Sequence, residues 1–469
     1  MLKKALRMVL VLAFLTGGFV SAQQLPEEPV PLNMLWRISF GTDYATTADA
    51  SERDAHAPSG VLFYVPATGA DFNNIALPGV TTLYRLVNPS GTDHMDSLTP
   101  GEGGYLTEGP LGYPWASQTA RPGLAPLTRI YDSQAGNPWT GDHALMVAAD
   151  ALHPGESFPY YSVDGPVGYG YARYVDTDQE LRSVSGGGVT VSSNVATGCS
   201  VWEWWWNGIQ FINDVDYGRQ LSAALYPYLT TAALQETGDL NSGQALLPLA
   251  RHSSPCLSYS SSGTSQSTRA IPLDWHPENW GGGPNNPVIY PDVTIGKNLT
   301  LDWIGPDGVD RQWPVALYET VVTGVSLDRA VVEAPTGYLN PSFSTYYSYD
   351  PTTKSLTQYS LGYQTVQNLG PGPLALIIAT GTGMSAPAMG VYKNDPNAQM
   401  TLENNTQPDG GSYGQYDGPY SKWSVHYDSG IQPSWIFRTW IMTDTLQNVI
   451  NDIQQLYTFG VTSRDPVTD

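Results

Sequence analysis

The feature that most constrains this chain is a threefold recurrence near its N-terminus. Leu35-Trp36-Arg37-Ile38 is followed by Gly41-Thr42-Asp43-Tyr44, Leu83-Tyr84-Arg85-Leu86 by Gly91-Thr92-Asp93-His94, and Leu127-Thr128-Arg129-Ile130-Tyr131 by Thr140-Gly141-Asp142-His143. The three aspartates are 50 and 49 residues apart. A glutamate follows each (Glu52, Glu102, Glu156), and then a glycine-apolar-aromatic segment: Gly60 to Tyr64, Gly109 to Tyr113, Gly165 to Tyr169. A single strand, turn and strand unit of this size cannot bury a core alone, so the copies are expected to pack on one another. The spacing predicts a β-trefoil-like module over residues 34–182, closed about a pseudo-threefold axis.

The rest of the sequence is also written for strands. It is rich in turn formers (48 Gly, 37 Pro) and in aromatics (14 Trp, 29 Tyr, 10 Phe), a mixture that favours many short strands joined by turns. Residues 1–22 read as an export signal, with Lys3, Lys4 and Arg7 ahead of an apolar stretch from Met8 and small residues Val20-Ser21-Ala22 at the cleavage point. Cleavage after Ala22 predicts a secreted, periplasmic or cell-surface protein, with residues 23–33 as a linker. Its loss makes the formal net charge of −22 three units more negative. Such a surface argues against nucleic acid and anionic membranes as partners. The two cysteines, Cys199 and Cys256, are expected to pair in an oxidising compartment.

The repeat resembles a family of bacterial secreted repeats with the pattern Tyr-Arg-x-x-Asn-Pro-x-x-Gly-Asp-His, matched most fully by Tyr84-Arg85-Leu86-Val87-Asn88-Pro89 with Gly91-Thr92-Asp93-His94. The resemblance implies a lectin-like module attached to cell-surface enzymes. The first unit departs from it, with Tyr44 in place of His and no Asn-Pro. Two readings stand: the recurring Arg and Asp tie each repeat's turns together, or Asp93, His94, Asp142 and His143 with Tyr84, Trp115 and Tyr169 contact a sugar.

A Gly/Ser-rich stretch, Ser183 to Gly188, reads as a linker or strand junction, so a second region is placed at 189–461, with 462–469 as a tail. Short strand-like runs fill it, including Val315 to Val322, Leu374 to Thr380 and Trp435 to Met442. One helix is expected near its end, because Leu446, Val449, Ile450, Ile453, Leu456 and Tyr457 recur at helical spacing after a Thr443/Asp444 cap. The segment Trp204 to Gln220, with Gly208-Ile209-Gln210-Phe211-Ile212 leading to Asn213-Asp214-Val215-Asp216-Tyr217-Gly218-Arg219, is similar to the entry strands of galactose-mutarotase-like β-supersandwich proteins. Thr268 to Trp275, Trp313 to Thr320 and Ala388 to Tyr392 add to the likeness. That resemblance implies one large antiparallel sandwich, and with the repeat module an all-β chain. It does not select among epimerases, glycoside hydrolases, lyases and binding modules.

No residue pattern fixes a chemistry. The seven histidines show no zinc spacing, and Asp214-Val215-Asp216 and Asp176-Thr177-Asp178 lack the glycine and glutamate of an EF-hand loop. Gly381-Thr382-Gly383-Met384-Ser385-Ala386-Pro387 mimics a subtilisin-like serine turn but has Gly383 at the nucleophile position. No cofactor and no metal is expected. The densest polar and aromatic cluster is Asp274-Trp275-His276-Pro277-Glu278-Asn279-Trp280, which offers stacking rings and proton-transfer groups. Together with Arg219, Arg269, Trp303, Glu319 and His426 it forms the expected site lining, with Glu319, His276 and His426 in acid and base roles. The functional expectation is a secreted protein that binds or acts on an extracellular glycan. The alternatives are a glycoside hydrolase or polysaccharide lyase working through the second region, and a non-catalytic envelope or adhesion protein.

Overall fold

The computed structural model describes residues 30–463, apart from 42, 57–60, 72–73, 122, 133–140, 149–157, 173–180, 214–219, 228–233, 236–253, 275–286, 291, 312, 325–326, 371–373, 396–397, 407–418 and 432–434. The export signal and the 462–469 tail therefore lie wholly or mostly outside the described residues. Among the described residues the fold is strand throughout, with a short helix at Ala50–Ala55 and a longer one at Leu446–Phe459. No helix there is long and apolar enough to cross a membrane.

The first region is three units of one strand pattern. In each, a leading strand pairs on one side with the short strand that follows its turn and on the other with a third strand. Val30–Ser39 lies between Tyr44–Thr47 and Val61–Pro66, Leu83–Val87 between His94–Ser97 and Leu106–Gly112, and Ala125–Asp132 between His143–Val147 and Tyr161–Ala172. Each turn is closed by a backbone hydrogen bond to the aspartate carbonyl: Phe40 to Asp43 (2.8 Å), Asn88 to Asp93 (2.9 Å) and Asp132 to Asp142 (3.0 Å). The glycines Gly41, Gly91 and Gly141 take φ values of 87°, 71° and 91° inside these turns, a conformation that a Cβ disfavours. In the third unit the glycine sits one residue nearer its aspartate than in the other two. Leu35, Phe63, Leu83, Leu111, Leu127 and Leu145 pack together from all three units.

The second region is a β-sandwich with a helix on its outside. A nine-stranded sheet that includes Thr294–Thr300, Val315–Thr323, Ala375–Ala379, Pro387–Tyr392 and Trp435–Thr445 faces the half of a larger sheet built from Ser222–Pro227, Leu327–Leu339, Ala398–Asn404 and Ser421–Ile431. Leu376, Ile378, Met389, Val391, Phe437 and Ile441 meet Leu225, Val332, Met400, Trp423, Val425 and Tyr427 between the sheets. The alternate residues Ala375, Ile377, Ala379 and Met442 point to the other face, where Leu446, Val449, Ile453 and Leu456 of the helix cover them. A strand buried on both faces reads as a continuous apolar run, and Ala375–Ala379 is Ala-Leu-Ile-Ile-Ala. At Gly390 a Cβ would stand 2.4 Å from Val449, so its absence lets the helix lie against the sheet. The helix begins one residue beyond the expected cap: Thr445 accepts from the Asn448 amide, and Gly460 ends the helix with φ 66°.

The two regions share a sheet. Val30 and Pro31 pair with Ile289 and Val288, which joins the first unit to a 14-stranded sheet reaching across the sandwich. Trp36, Tyr64, Trp115 and Tyr171 share a core with Ile271, Leu273 and Ile289, and Arg121 pairs with Asp292 at 2.9 Å. Of the two readings for Ser183 to Gly188, the structure takes the strand junction: Leu181–Gly186 and Val189–Asn194 form a hairpin. The hairpin turns on Gly187 and Gly188, both at positive φ. Leu181 and Arg182 thus belong with the strands that follow. Cys199 and Cys256 form the expected disulfide, with Cα atoms 5.4 Å apart and a sequence separation of 57; a loop of that length is worth about 4 kcal/mol in the chain-entropy model.

Candidate functional site

The repeated polar residues meet between the units. The Asp43 carboxylate accepts from the His94 amide at 3.1 Å and from His94 Nδ1. Asp93 accepts from the Tyr105 hydroxyl and faces His143 Nδ1 at 3.4 Å. Asp142 accepts from the Tyr44 amide at 3.0 Å and from the Tyr161 hydroxyl. Each aspartate therefore reaches the residue that follows the aspartate of the next unit, and the third returns to the first. The arginines run around the same circle in the other direction. Arg85 donates to the Thr46 carbonyl (3.4 Å) and Glu52 (2.7 Å), Arg129 to the Asp96 carbonyl (3.0 Å) and Glu102 (2.9 Å), and Arg37 to the Leu145 carbonyl (3.1 Å). The tie expected within each repeat is present, through Arg85 with Glu108 and Arg129 with Asp164, and the same residues also join one repeat to the next.

Carboxylate oxygens of Asp43, Asp93 and Asp142 lie within 4.8 Å of one another. Asp43 and Asp142 are buried, and the Asp93 side chain is 14% exposed. Burial, with the nearby Asp43, pushes the Asp142 carboxyl up to about 7, against the hydrogen bonds it accepts. Burial lowers and the Asp43 and Glu108 carboxylates raise the His94 imidazole, with a net upward shift.

Beside this ring a cavity of about 380 Å³ opens between the second and third units, lined by Asp93, Tyr105, Tyr131, Gly141, His143 and Asp164. Tyr131 lies 4.7 Å from the His143 ring, tilted, and Tyr105 meets the same ring edge-on at 6.1 Å. Asp164 is held by Arg129 Nε at 2.5 Å. Flat apolar rings flanked by carboxylates and an imidazole can stack on one face of a small polar ligand while accepting and donating at its edge.

A second polar group stands on the outer face of the large sheet. Along Ser421–Ile431, Trp423, Val425 and Tyr427 enter the sandwich core, which turns Lys422, Ser424 and His426 to the other side. Buried Glu333 lies 3.8 Å from His426 Nε2 and takes hydrogen bonds from Thr336 and Tyr226. Burial opposes its ionisation, yet Lys422 and His426 hold it below the ordinary carboxylate range. Burial, with Lys422, lowers the His426 imidazole; its Nε2 is 2.8 Å from Ser424 Oγ. Lys422 lies over the Tyr338 ring at 5.1 Å. It stands 4.0 Å from Glu403 and stays charged despite its burial. An ionised carboxylate beside a neutral imidazole is an acid-base pair in form.

The structure separates the other expected residues. Glu319 is on the opposite sheet, bound to Arg438 (2.9 Å) and Asn298 (3.2 Å), so it does not join His426. His276, Trp275, Glu278, Trp280 and Arg219 lie outside the described residues, as do Asp176 to Asp178 and Asp214 to Asp216. Three residues expected at a ligand are drawn inward: Trp115 is 1% exposed and packs edge-on against Tyr171, Asp274 is fully buried, and partly buried Trp303 stacks on Trp313 and meets Trp440 edge-on beneath the helix. Ring size accounts for the two tryptophans, since a tryptophan buries the most apolar area. Arg269 donates to the Thr268 carbonyl on its own strand, and Tyr84 sits half-buried opposite Ser97. Of the residues read from the sequence, Asp93, His94, Asp142 and His143 come together. Tyr105 and Tyr161 were missed, although each stands four residues before the glycine of its third strand, an offset that aligning the units reveals. Glu333 and Lys422 were missed because single charges in apolar strands look incidental until a neighbouring strand supplies the partner.

No protein-family model matches the chain, and the comparison with curated proteins gives no match. Among solved structures the chain is similar to 4-alpha-glucanotransferase from Thermococcus litoralis, with 10% identity and TM-score 0.34 over 58% of this chain and 39% of that one. It is similar to a galactose mutarotase related enzyme from Lactobacillus acidophilus, with 10% identity and TM-score 0.34 over 57% of this chain and 98% of that one. A heparan sulfate lyase from Pedobacter heparinus matches 57% of this chain and 37% of its own at 8% identity and TM-score 0.29. The chain thus spans well under half the length of the first and third of these. The class stated here, an all-β protein with a two-sheet sandwich and an outer C-terminal helix, rests on the strand pairing described above.

Proposed function

We propose that this is an exported glycan-binding protein whose first region, from strand Val30–Ser39 to strand Tyr161–Ala172, is a trefoil-like recognition module. The observation that carries the reading is the cavity between the second and third units, where Tyr105 and Tyr131 flank His143 between the carboxylates of Asp93 and Asp164. A sugar presents an apolar face to such rings and hydroxyls to such edges. His143 uses Nδ1 toward Asp93, which leaves Nε2 as its atom for a ligand. Asp164 is 40% exposed and presents an oxygen at the rim.

The test is retention of the mature protein on a glycan array, beside Tyr131→Ala and His143→Ala. Loss of one stacking ring should weaken binding about tenfold, the equivalent of roughly 1.4 kcal/mol. Equal binding by all three proteins rejects this cavity. No retention on any glycan rejects the function and favours an envelope or adhesion role.

The second reading is catalysis on the outer face of the large sheet, as in a glycoside hydrolase or polysaccharide lyase. It is favoured by ionised Glu333 standing beside neutral His426, and it replaces Glu319 by Glu333 as the acidic partner. Release of reducing ends or unsaturated products that disappears in Glu333→Gln would establish it.

A further inference from the structure

We propose that the Asp43, Asp93 and Asp142 ring is a proton-operated latch: a proton held between Asp142 and Asp43 lets three units of the chain close on one another, and its loss loosens them. The geometry carries this. Three carboxylates from strand units far apart in sequence converge within 4.8 Å. Two of them are shut from solvent, where like charges repel strongly and cannot all remain ionised. Every aspartate is also a joint between units, through His94, His143 or the Tyr44 amide. Charge on the ring therefore acts on the contacts that hold the module together.

The groups facing the ring set the direction. Asp142 meets the Tyr44 amide, Tyr161 and Asp43, and Asp132 adds negative charge near Tyr161. Its acid form hydrogen-bonds to Asp43, which also accepts from His94. The far nitrogen of His94 is 3.7 Å from Glu108, and Arg85 lies near enough to oppose its positive charge. Asp93 meets Tyr105 and His143, and Tyr131 lies against His143 on its other side. Arg129 is engaged by Glu102 and Asp164, and so does not neutralise the ring directly.

The folded chain thus keeps a proton on Asp142 that an unfolded aspartate releases near pH 4. Stability from the ring is full below that pH, falls as pH rises toward about 7, and is least above it. The latch does not depend on what the neighbouring cavity binds. Asp93 and His143 belong to both, so a ligand held there would follow the latch.

Asp142→Asn tests it, because an asparagine amide donates to Asp43 at every pH. Thermal melting of the whole mature chain from pH 4 to pH 9 should show the two proteins melting together at pH 4 and the variant about 3 °C or more higher at pH 8. Parallel curves overturn the proposal. So does a wild-type melting point that rises with calcium or magnesium at pH 8, for then the ring takes a cation rather than a proton. If the variant does not fold, hydrogen exchange of the wild type decides, after correction for intrinsic rates. Protection of His94–Ser97 and His143–Val147 should drop between pH 6 and pH 8.5 by more than that of Ala375–Ala379, and an equal drop in all three counts against the latch. Unchanged protection in all three strands refutes the latch.

Discussion

The first region and the sandwich solve the same problem, holding short strands together, by different means. In the first, three small units are joined by charged groups that pass from each unit to the next, and the apolar clusters beneath them are modest. In the second, two sheets and a helix enclose continuous apolar layers, with only isolated charged groups such as Asp452 among them. Apolar contact is non-directional and does not itself titrate. Charged contacts specify which unit meets which, and their strength depends on protonation. The region built for specificity is therefore the one that solution conditions can loosen.

The sharpest way to break this contrast is to empty the sandwich. Trp423 is fully buried between the sheets, and Trp423→Ala should cost about 3 to 5 kcal/mol, read as an earlier denaturant midpoint with the loss of protection centred on the sandwich strands. Arg129→Ala should cost about 2 to 3 kcal/mol, because it strands Glu102 and Asp164 and frees a carbonyl. Hydrogen exchange should then place the loss in residues 83–172 and leave Ala375–Ala379 protected; equal loss in both regions would dissolve the distinction. A smaller effect, of opposite sign, is expected at Asp452. This helix carboxyl accepts from Trp313 Nε1 at 2.7 Å, and burial pushes it up to about 7. Between its unfolded value near 4 and about 7 the folded state keeps a proton the unfolded state releases, so stability falls as pH rises across that window. Asp452→Asn keeps an acceptor for Trp313 and should change nothing near pH 4, while stabilising on the order of 2 kcal/mol at pH 8, as measured by urea unfolding. Last, Arg311→Ala removes a surface pair with Asp307 and a cation resting over the Trp313 and Phe459 rings, and should lower the melting temperature only slightly.

Much of the fold was legible because its signals are local. The helix over Leu446–Phe459 follows from six apolar positions at one spacing, and the disulfide from there being just two cysteines to pair. The turns of the repeat follow from glycine beside aspartate. The candidate site was less legible, because aromatic residues carry no mark of whether they face a core or a ligand. Trp115 and Trp303 look like stacking surfaces, yet Trp115 is buried and Trp303 partly buried against the helix layer, whereas Tyr105 and Tyr131 line the cavity and carry no mark of it. Glu319 and Glu333 look alike in sequence. Only strand pairing shows that one meets Arg438 and the other His426.

The sequence by itself determined the strand-rich class, the recurrence of Arg, Gly and Asp at fixed offsets, the covalent tie and the closing helix, all of which depend on periodicity or residue type. The tertiary structure decided which unit each charge addresses and that one sheet runs through both regions. It also decided that three aspartates some fifty residues apart in sequence come within 4.8 Å of one another. Those outcomes depend on how strands pair across long loops, where the interaction energy is set by distance and burial rather than by neighbours in the chain. The repeat foretold that something would be shared among its copies, and packing made that shared element a ring of carboxylates.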